Sequence, residues 1–253
     1  MKSRGGALVT GAAKRLGRAM ALALGQAGYD IAIHYRRSQA EAEALAAEIS
    51  AVGARSCILE ADLSREEEAA RLIGEARALL GPLTLLVNSA SCFETDDIKT
   101  MTRASWDAHI ETNLRAPIKL AQDFAMQADD ARDNLIVNIL DQRVLKPTPQ
   151  FLSYAISKAA LYEATRMLAQ GLAPKGIRVN AIGPGPTLRN ARQSDEDWKR
   201  QNAATILGRG AEPSDIAAAL LYLADARAVT GQMIAVDGGQ HLAWKTADVL
   251  VKE

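Results

Sequence analysis

Seven short apolar runs punctuate the chain, each ending in turn residues: Ala7 to Thr10, Ile31 to Tyr35, Ser56 to Glu60, Leu83 to Asn88, Asn134 to Leu140, Ile177 to Ile182 and Met233 to Val236. They are mostly continuous rather than alternating, which is the pattern of strands covered on both faces. Between them lie segments rich in Ala, Leu, Glu and Arg at helical length: Gln39 to Ala51, Arg65 to Leu80, Ala104 to Gln127 and Ser153 to Leu172. Strand and helix therefore alternate. That order predicts an α/β, doubly wound (Rossmann) parallel sheet of about seven strands with helices on both faces and ligands beyond the strands' carboxyl ends.

No Pro- or Ser-rich linker, repeat or low-complexity tract divides the sequence, so residues 1–253 are expected to form one domain, a common size for this architecture. The least regular stretch, 183–205, opens with Gly183-Pro184-Gly185-Pro186 and then turns polar. A surface loop and a mobile flap over a site are both open for it.

Composition adds mainly exclusions. Thirty basic side chains are matched by 30 acidic ones, so nothing favours a nucleic-acid or anionic-membrane partner. The longest uncharged stretch, Ala78 to Phe93, is interrupted by Gly81, Pro82 and Asn88 and falls short of the ~20 apolar residues a membrane span needs. The apolar run after Lys2 and Arg4 ends at Val9, too short for a signal peptide, and a cytoplasmic location is expected. Cys57 and Cys92 are read as free thiols, and His34, His109 and His241 show no metal-ligand spacing, so no metal is expected.

The first strand runs into Thr10-Gly11-Ala12-Ala13-Lys14-Arg15-Leu16-Gly17-Arg18 and then an apolar helix from Ala19 to Leu24. A turn of small residues there exposes backbone N–H groups at a helix N-terminus, where the dipole favours a pyrophosphate. Gly11 and Gly17 alone would serve equally as tight-turn residues; strand before and helix after supply the context the motif requires. The second strand ends in Tyr35-Arg36-Arg37-Ser38. An NAD site usually carries Asp or Glu there for the ribose 2′-hydroxyl, whereas guanidinium groups and a hydroxyl suit the 2′-phosphate of NADP. NADP(H) is therefore the expected cofactor.

Tyr154 and Lys158 stand four apart on a predicted helix and share a face. A tyrosine near its free pKa of about 10 exchanges protons poorly at neutral pH, and Lys158 and a nearby nicotinium are expected to lower that value by stabilising the phenolate. With Thr10-Gly11 and Gly17, Asp62-Leu63, Asn88-Ser89-Ala90, Asn113, Tyr154 with Lys158, and Gly183-Pro184-Gly185-Pro186-Thr187 in order, the whole chain resembles the short-chain dehydrogenase/reductase family. The resemblance implies that Asp62 contacts adenine, that Asn113 anchors a water linked to Lys158, and that Pro184, Gly185 and Thr187 hold the nicotinamide carboxamide. It also implies a homo-oligomer, tetramer or dimer.

Three departures sharpen it. Arg15 stands where the family usually has Gly, Asn88-Ser89-Ala90-Ser91 replaces Asn-Asn-Ala-Gly, and Asp141 replaces the catalytic Ser. These features resemble pteridine reductases, whose aromatic residue at the position of Phe93 sandwiches the pterin against the nicotinamide. A flat pterin offers Phe93 a face to stack on, and its polar edge offers partners to Arg15, Ser91 and Asp141. The expected reaction is reduction of a ring C=N in a small pterin-like substrate such as a dihydropteridine, dihydromonapterin or dihydrofolate, with a proton from Tyr154 or through Asp141. A carbonyl reductase of 3-oxoacyl or other ketones is the alternative, weakened because a carboxylate repels a developing alkoxide. A non-catalytic NADP sensor is a third reading, opposed by the retention of Asn113, Tyr154 and Lys158. Cys92 is either a thiol that reagents attack or a small apolar filler.

Overall fold

The computed structural model describes residues 4–129, 132–190 and 192–246. Among them seven parallel strands form one sheet in the order β3-β2-β1-β4-β5-β6-β7. These are β1 (Gly6–Val9), β2 (Asp30–Tyr35), β3 (Ser56–Glu60), β4 (Leu83–Asn88), β5 (Asn134–Ile139), β6 (Ile177–Pro184) and β7 (Met233–Val236). The helices are α1 (Arg15–Gln26), α2 (Gln39–Ala51), α3 (Glu66–Leu80), α4 (Arg103–Ile110), α5 (Ala116–Gln127), α6 (Leu152–Leu172), α7 (Asp195–Ala203) and α8 (Pro213–Asp225). The doubly wound parallel sheet read from periodicity is the fold observed.

Side chains alternate across each strand, so every strand feeds two cores. Ala7, Val9, Ile31, Ile33, Leu85, Val87, Leu135 and Val137 pack with residues of α1, α2 and α8. Leu8, Ala32, Leu86, Ile136 and Val179 pack on the other face with Leu72 and Ile73 of α3 and Leu120 and Phe124 of α5. Leu8, Leu72, Leu85 and Ile136 are fully buried. Each such side chain contributes about 1.5–3 kcal/mol relative to exposure. With neither face wet, polar residues in the strands are a minority and mostly themselves buried, such as His34 and Asn138, which is why the runs are mostly continuous.

The chain reverses its winding between β1 and β4, paired at Val9↔Val87. Their carboxyl ends part there, and an open α/β sheet binds its ligand in that crevice.

Two expectations are corrected. The helix expected from Ala104 to Gln127 is broken into α4 and α5 by one turn of π-helix at Glu111–Arg115. Pro117 has no N–H to give the carbonyl of Asn113, so regular spacing cannot continue through that turn. The irregular stretch 183–205 contains α7, whose start is fixed by the Ser194 hydroxyl accepting from the Asp197 N–H, with Asp195, Glu196 and Asp197 favouring the helix N-terminus. None of α7 is buried, so it carries no apolar stripe for periodicity to detect. Among the described residues no helix is long and apolar enough to cross a membrane.

Candidate active site

The turn after β1 is closed by contacts that admit only glycine. Gly11 has φ 63°, and a Cβ on it would lie 2.9 Å from the Ala90 Cα. A Cβ on Gly17 would lie 2.2 Å from the Gly11 carbonyl oxygen. The Thr10 hydroxyl accepts from the N–H groups of Ser89 and Ala90, locking the end of β1 to the end of β4. At α1 no acidic residue occupies the first turn, and among the described residues the N-cap residue, Lys14, makes no side-chain capping hydrogen bond. The N-terminal N–H groups are thus left for an anion, and the loop fits a pyrophosphate.

His34 belongs to this end and was not foreseen. The Gly11 N–H donates to its Nδ1 at 2.9 Å, so the proton sits on Nε2, which donates to the Ala61 carbonyl at 3.1 Å. Burial lowers its pKa to about 4 and keeps the ring neutral. Its sequence neighbours are an apolar strand and an arginine pair, so only the tertiary contact reveals it. Tyr35 is buried, while Arg36 and Arg37 are exposed beyond the strand end. Arg36 stands 3.8 Å from Asp62, whose carboxylate also accepts from the N–H and hydroxyl of Ser64. Leu63 is buried beside it. Asn88 donates to Asn138 at 2.9 Å across the paired ends of β4 and β5.

Tyr154 and Lys158 project from the first turns of α6, and Asp141 follows β5. The Tyr154 hydroxyl donates to Asp141 Oδ2 at 3.0 Å, and Asp141 Oδ1 accepts from the Arg143 N–H at 2.8 Å. Lys158 Nζ donates to the Ile139 carbonyl at 2.8 Å and lies 5.9 Å from the Tyr154 ring centroid. In this geometry Lys158 alone does not depress the phenol. Burial first, and then the Asp141 carboxylate, raise the Tyr154 pKa well above its ordinary value, so the hydroxyl stays protonated. Lys158 is itself lowered to about 8, by burial, with Asp141 opposing.

Asn113 sits in the π turn with its side chain saturated by protein. Its Oδ1 accepts from the Cys92 N–H at 2.8 Å, and its Nδ2 donates to the Cys92 carbonyl at 2.9 Å and to the Ser157 hydroxyl at 3.1 Å. It ties the segment 91–93 to α6. Burial and then Glu94 raise the Cys92 thiol, which favours the filler reading over the reactive one. A second buried network, also unforeseen, holds the start of α6. The Glu94 N–H donates to His109 Nε2 at 3.0 Å, which leaves the proton on Nδ1, 2.6 Å from the Ser153 hydroxyl. Ser153 in turn donates to Asp96.

Arg15, Leu16, Phe93, Asp141, Tyr154, Pro184, Gly185 and Thr187, all named from sequence, wall one cleft of about 520 Å³. Arg15 holds φ 54° in the left-handed region, and its guanidinium donates to the carbonyls of Leu188 and Arg189 at 2.9 and 3.1 Å. Phe93 stacks on Phe151 with centroids 4.5 Å apart and planes 12° apart, and meets the Tyr154 ring edgewise at 4.6 Å. Ser91 lies outside the wall, its hydroxyl turned to Asn113 Oδ1 at 3.2 Å. Trp198 of α7 joins the wall, so the segment after β6 contributes to the cleft through a helix. Among the described residues no group of three or more His, Cys, Asp or Glu gathers so as to hold a metal ion.

Comparison with known proteins places this geometry. The family model described as enoyl-(acyl carrier protein) reductase matches residues 11–241. The 3-oxoacyl-(acyl-carrier-protein) reductase of Staphylococcus epidermidis is 33% identical over 240 residues, covering 93% of this chain and 98% of that one. Among solved structures, FolM alternative dihydrofolate reductase 1 from Brucella suis in complex with NADP shares 46% identity, with TM-score 0.93 over 98% of this chain and 99% of that one. The corresponding Brucella canis protein complexed with NADP shares 44% identity, with TM-score 0.91 over 98% of each chain.

Proposed function

The chain belongs to the short-chain dehydrogenase/reductase family, and from that premise we propose that it is an NADPH-dependent reductase of a ring C=N in a pterin-like substrate. The observation that carries this reading is the 3.0 Å hydrogen bond from Tyr154 to Asp141, set in a cleft walled by Phe93. A serine at position 141 would donate to the oxygen of a reacting ketone. A carboxylate there repels a developing alkoxide but suits a ring nitrogen, which takes up a proton.

NADPH, when bound, would supply the hydride to the ring carbon. The protein supplies the proton to nitrogen. Tyr154, held protonated, is the acid nearest the cleft, yet its deprotonation beside an ionised Asp141 would place two negative charges about 3 Å apart. The proton that Tyr154 gives to the ring nitrogen is therefore replaced from water through the cleft before the next turnover. Lys158 behind the ring offsets the charge that remains. Leu16 and Gly17 would present backbone N–H groups to the pyrophosphate, with Gly11, its own N–H given to His34, allowing the close turn; Arg36, Arg37 and Ser38 would meet the 2′-phosphate, Asp62 and Leu63 would flank the adenine, and Asn88 and Ala90 would lie along the nucleotide. Pro184, Gly185 and Thr187 would hold the carboxamide, and Arg15 and Phe93 border the substrate, whereas Ser91, expected there, lies outside the cleft wall. The NADP complexes of the two Brucella proteins support the cofactor, and their names support the substrate class.

Purified enzyme offered NADPH with dihydrobiopterin, dihydromonapterin, dihydrofolate and acetoacetyl-coenzyme A decides the substrate. Turnover of the thioester with none of a pteridine refutes the reading. That outcome is the second reading, reduction of a 3-oxoacyl ketone, favoured by the 33% identity to the staphylococcal reductase. A sensor without turnover is opposed by the Tyr154, Asp141 and Lys158 geometry. Exposed Met126 on α5 and Ile156 and Met167 on α6 support assembly as a homo-oligomer. The free thiols of Cys57 and Cys92 suit a reducing compartment, in keeping with a cytoplasmic enzyme.

A further inference from the structure

We propose that the substrate carries an anionic tail beyond its reducible ring, and that Arg143 is the residue that binds it; the inference rests on the pteridine reading above. The cleft is walled by three guanidinium groups, Arg15, Arg143 and Arg192, against one carboxylate, Asp141. Both oxygens of that carboxylate are taken, by the Tyr154 hydroxyl and by the Arg143 backbone N–H.

The three cations differ in what occupies them. Arg192 donates to Glu94 and to the Phe93 carbonyl, each at 2.8 Å, and Arg15 donates to two backbone carbonyls. Arg143 has no carboxylate within ion-pair distance among the described residues, and its Nη1 is buried with no hydrogen-bond partner there. In the adjacent residue, buried Gln142, the side-chain oxygen is likewise buried and unpartnered. A buried donor on a full charge next to a buried acceptor is an arrangement a folded protein rarely leaves unused, since both groups have given up water.

Geometry places the pair beyond the ring. The Arg143 guanidinium carbon lies 4.8 Å from the Phe151 centroid and 6.0 Å from that of Phe93, with Arg192 5.6 Å from the same Phe93 ring. Phe151 reaches this place only because its backbone adopts φ 56°, a conformation costly for a non-glycine residue. Tyr154 marks the reacting bond and Phe93 the ring; the next group outward meets guanidinium. A carboxylate or a phosphate matches that fork. A neutral hydroxyalkyl tail would leave the charge unanswered.

Arg143→Gln and Arg143→Lys are tested in steady state with saturating NADPH on dihydrofolate (carboxylate tail), a dihydroneopterin phosphate (phosphate tail) and dihydrobiopterin (neutral tail). The ratio of kcat/KM for an anionic substrate to that for dihydrobiopterin is expected to fall at least about tenfold in Arg143→Gln through KM, with partial recovery in Arg143→Lys. The arm that falls identifies carboxylate or phosphate. An unchanged ratio on both arms, or a fall confined to kcat, overturns the proposal. If wild type reduces no pteridine, the functional reading fails by itself. The tail site is then judged by titrating p-aminobenzoylglutamate and inorganic phosphate onto the NADP-saturated protein. Binding weakened about tenfold by Arg143→Gln and by added salt sustains it, whereas equal binding by both proteins, or none by wild type, overturns it.

Discussion

Replacing Lys158 by Met is expected to destroy turnover while stabilising the fold at neutral pH. Lys158 is buried, and its pKa is lowered from 10.5 to about 8. Keeping it charged in the folded protein below that value costs about 3 kcal/mol, the shift multiplied by about 1.4 kcal/mol per unit. Methionine has similar reach and no charge, but it leaves the Ile139 carbonyl without its 2.8 Å donor, a loss of about 1–2 kcal/mol. The net gain at pH 7 is then about 1–2 kcal/mol, or about 2–4 °C in Tm per kcal/mol. Because the folded pKa of a cation is depressed, the unfolded chain holds the extra proton between about 8 and 10.5. Wild-type stability therefore rises with pH through that window and the variant's does not. By about pH 9.5 roughly half of the wild-type penalty is relieved, and the advantage of Lys158→Met vanishes. Urea unfolding of both proteins from pH 6.5 to about 9.5 reads this directly, stopping below the ordinary tyrosine value of about 10 so that phenols stay protonated. A variant less stable than wild type at pH 7, or a stability difference flat across the range, would refute the account of Lys158 as a charge held in the core for function.

Asp141→Ser should raise ketone reduction and depress pteridine reduction, and should lower the Tyr154 phenol pKa by removing the carboxylate while burial remains; alkaline difference absorbance of the tyrosines checks the second effect, and an unmoved titration counts against the pair. Arg37→Ala, at an exposed position, should raise KM for NADPH at least about tenfold with little change for NADH; equal effects on both would place the 2′-phosphate elsewhere. His34 makes the fold acid-sensitive: with its pKa lowered to about 4, the unfolded chain takes up a proton first, so about 3 kcal/mol of stability present above pH 6.5 is lost as pH falls toward 4. His34→Gln should flatten that slope in urea titrations, and an unchanged slope would assign the acid sensitivity to other groups.

Much of this protein is legible without coordinates. Near-continuous apolar runs such as Leu83 to Asn88 announce strands wetted on neither face, because burial on both sides removes the alternation of polar and apolar positions. Tyr154 and Lys158 declare a shared helix face by their spacing of four, and Gly11 and Gly17 mark a turn whose neighbours, a strand and a helix, are themselves local patterns. Where a contact spans distant segments, spacing is silent. His34 grips Gly11 from the next strand, the Glu94, His109, Ser153 and Asp96 network crosses three segments, and α7 escapes periodicity because none of its residues is fully buried.

The protonation state of the central pair belongs to that second kind. From sequence, Lys158 and a nearby nicotinium should acidify Tyr154; in the fold of the chain, Lys158 is turned to the Ile139 carbonyl and Tyr154 to Asp141. Hydrophobic period and local spacing are properties of neighbouring residues and can be read along the chain. A pKa depends on how deeply a group is buried and which charge it faces, and those are set only when the sheet brings position 141 against position 154.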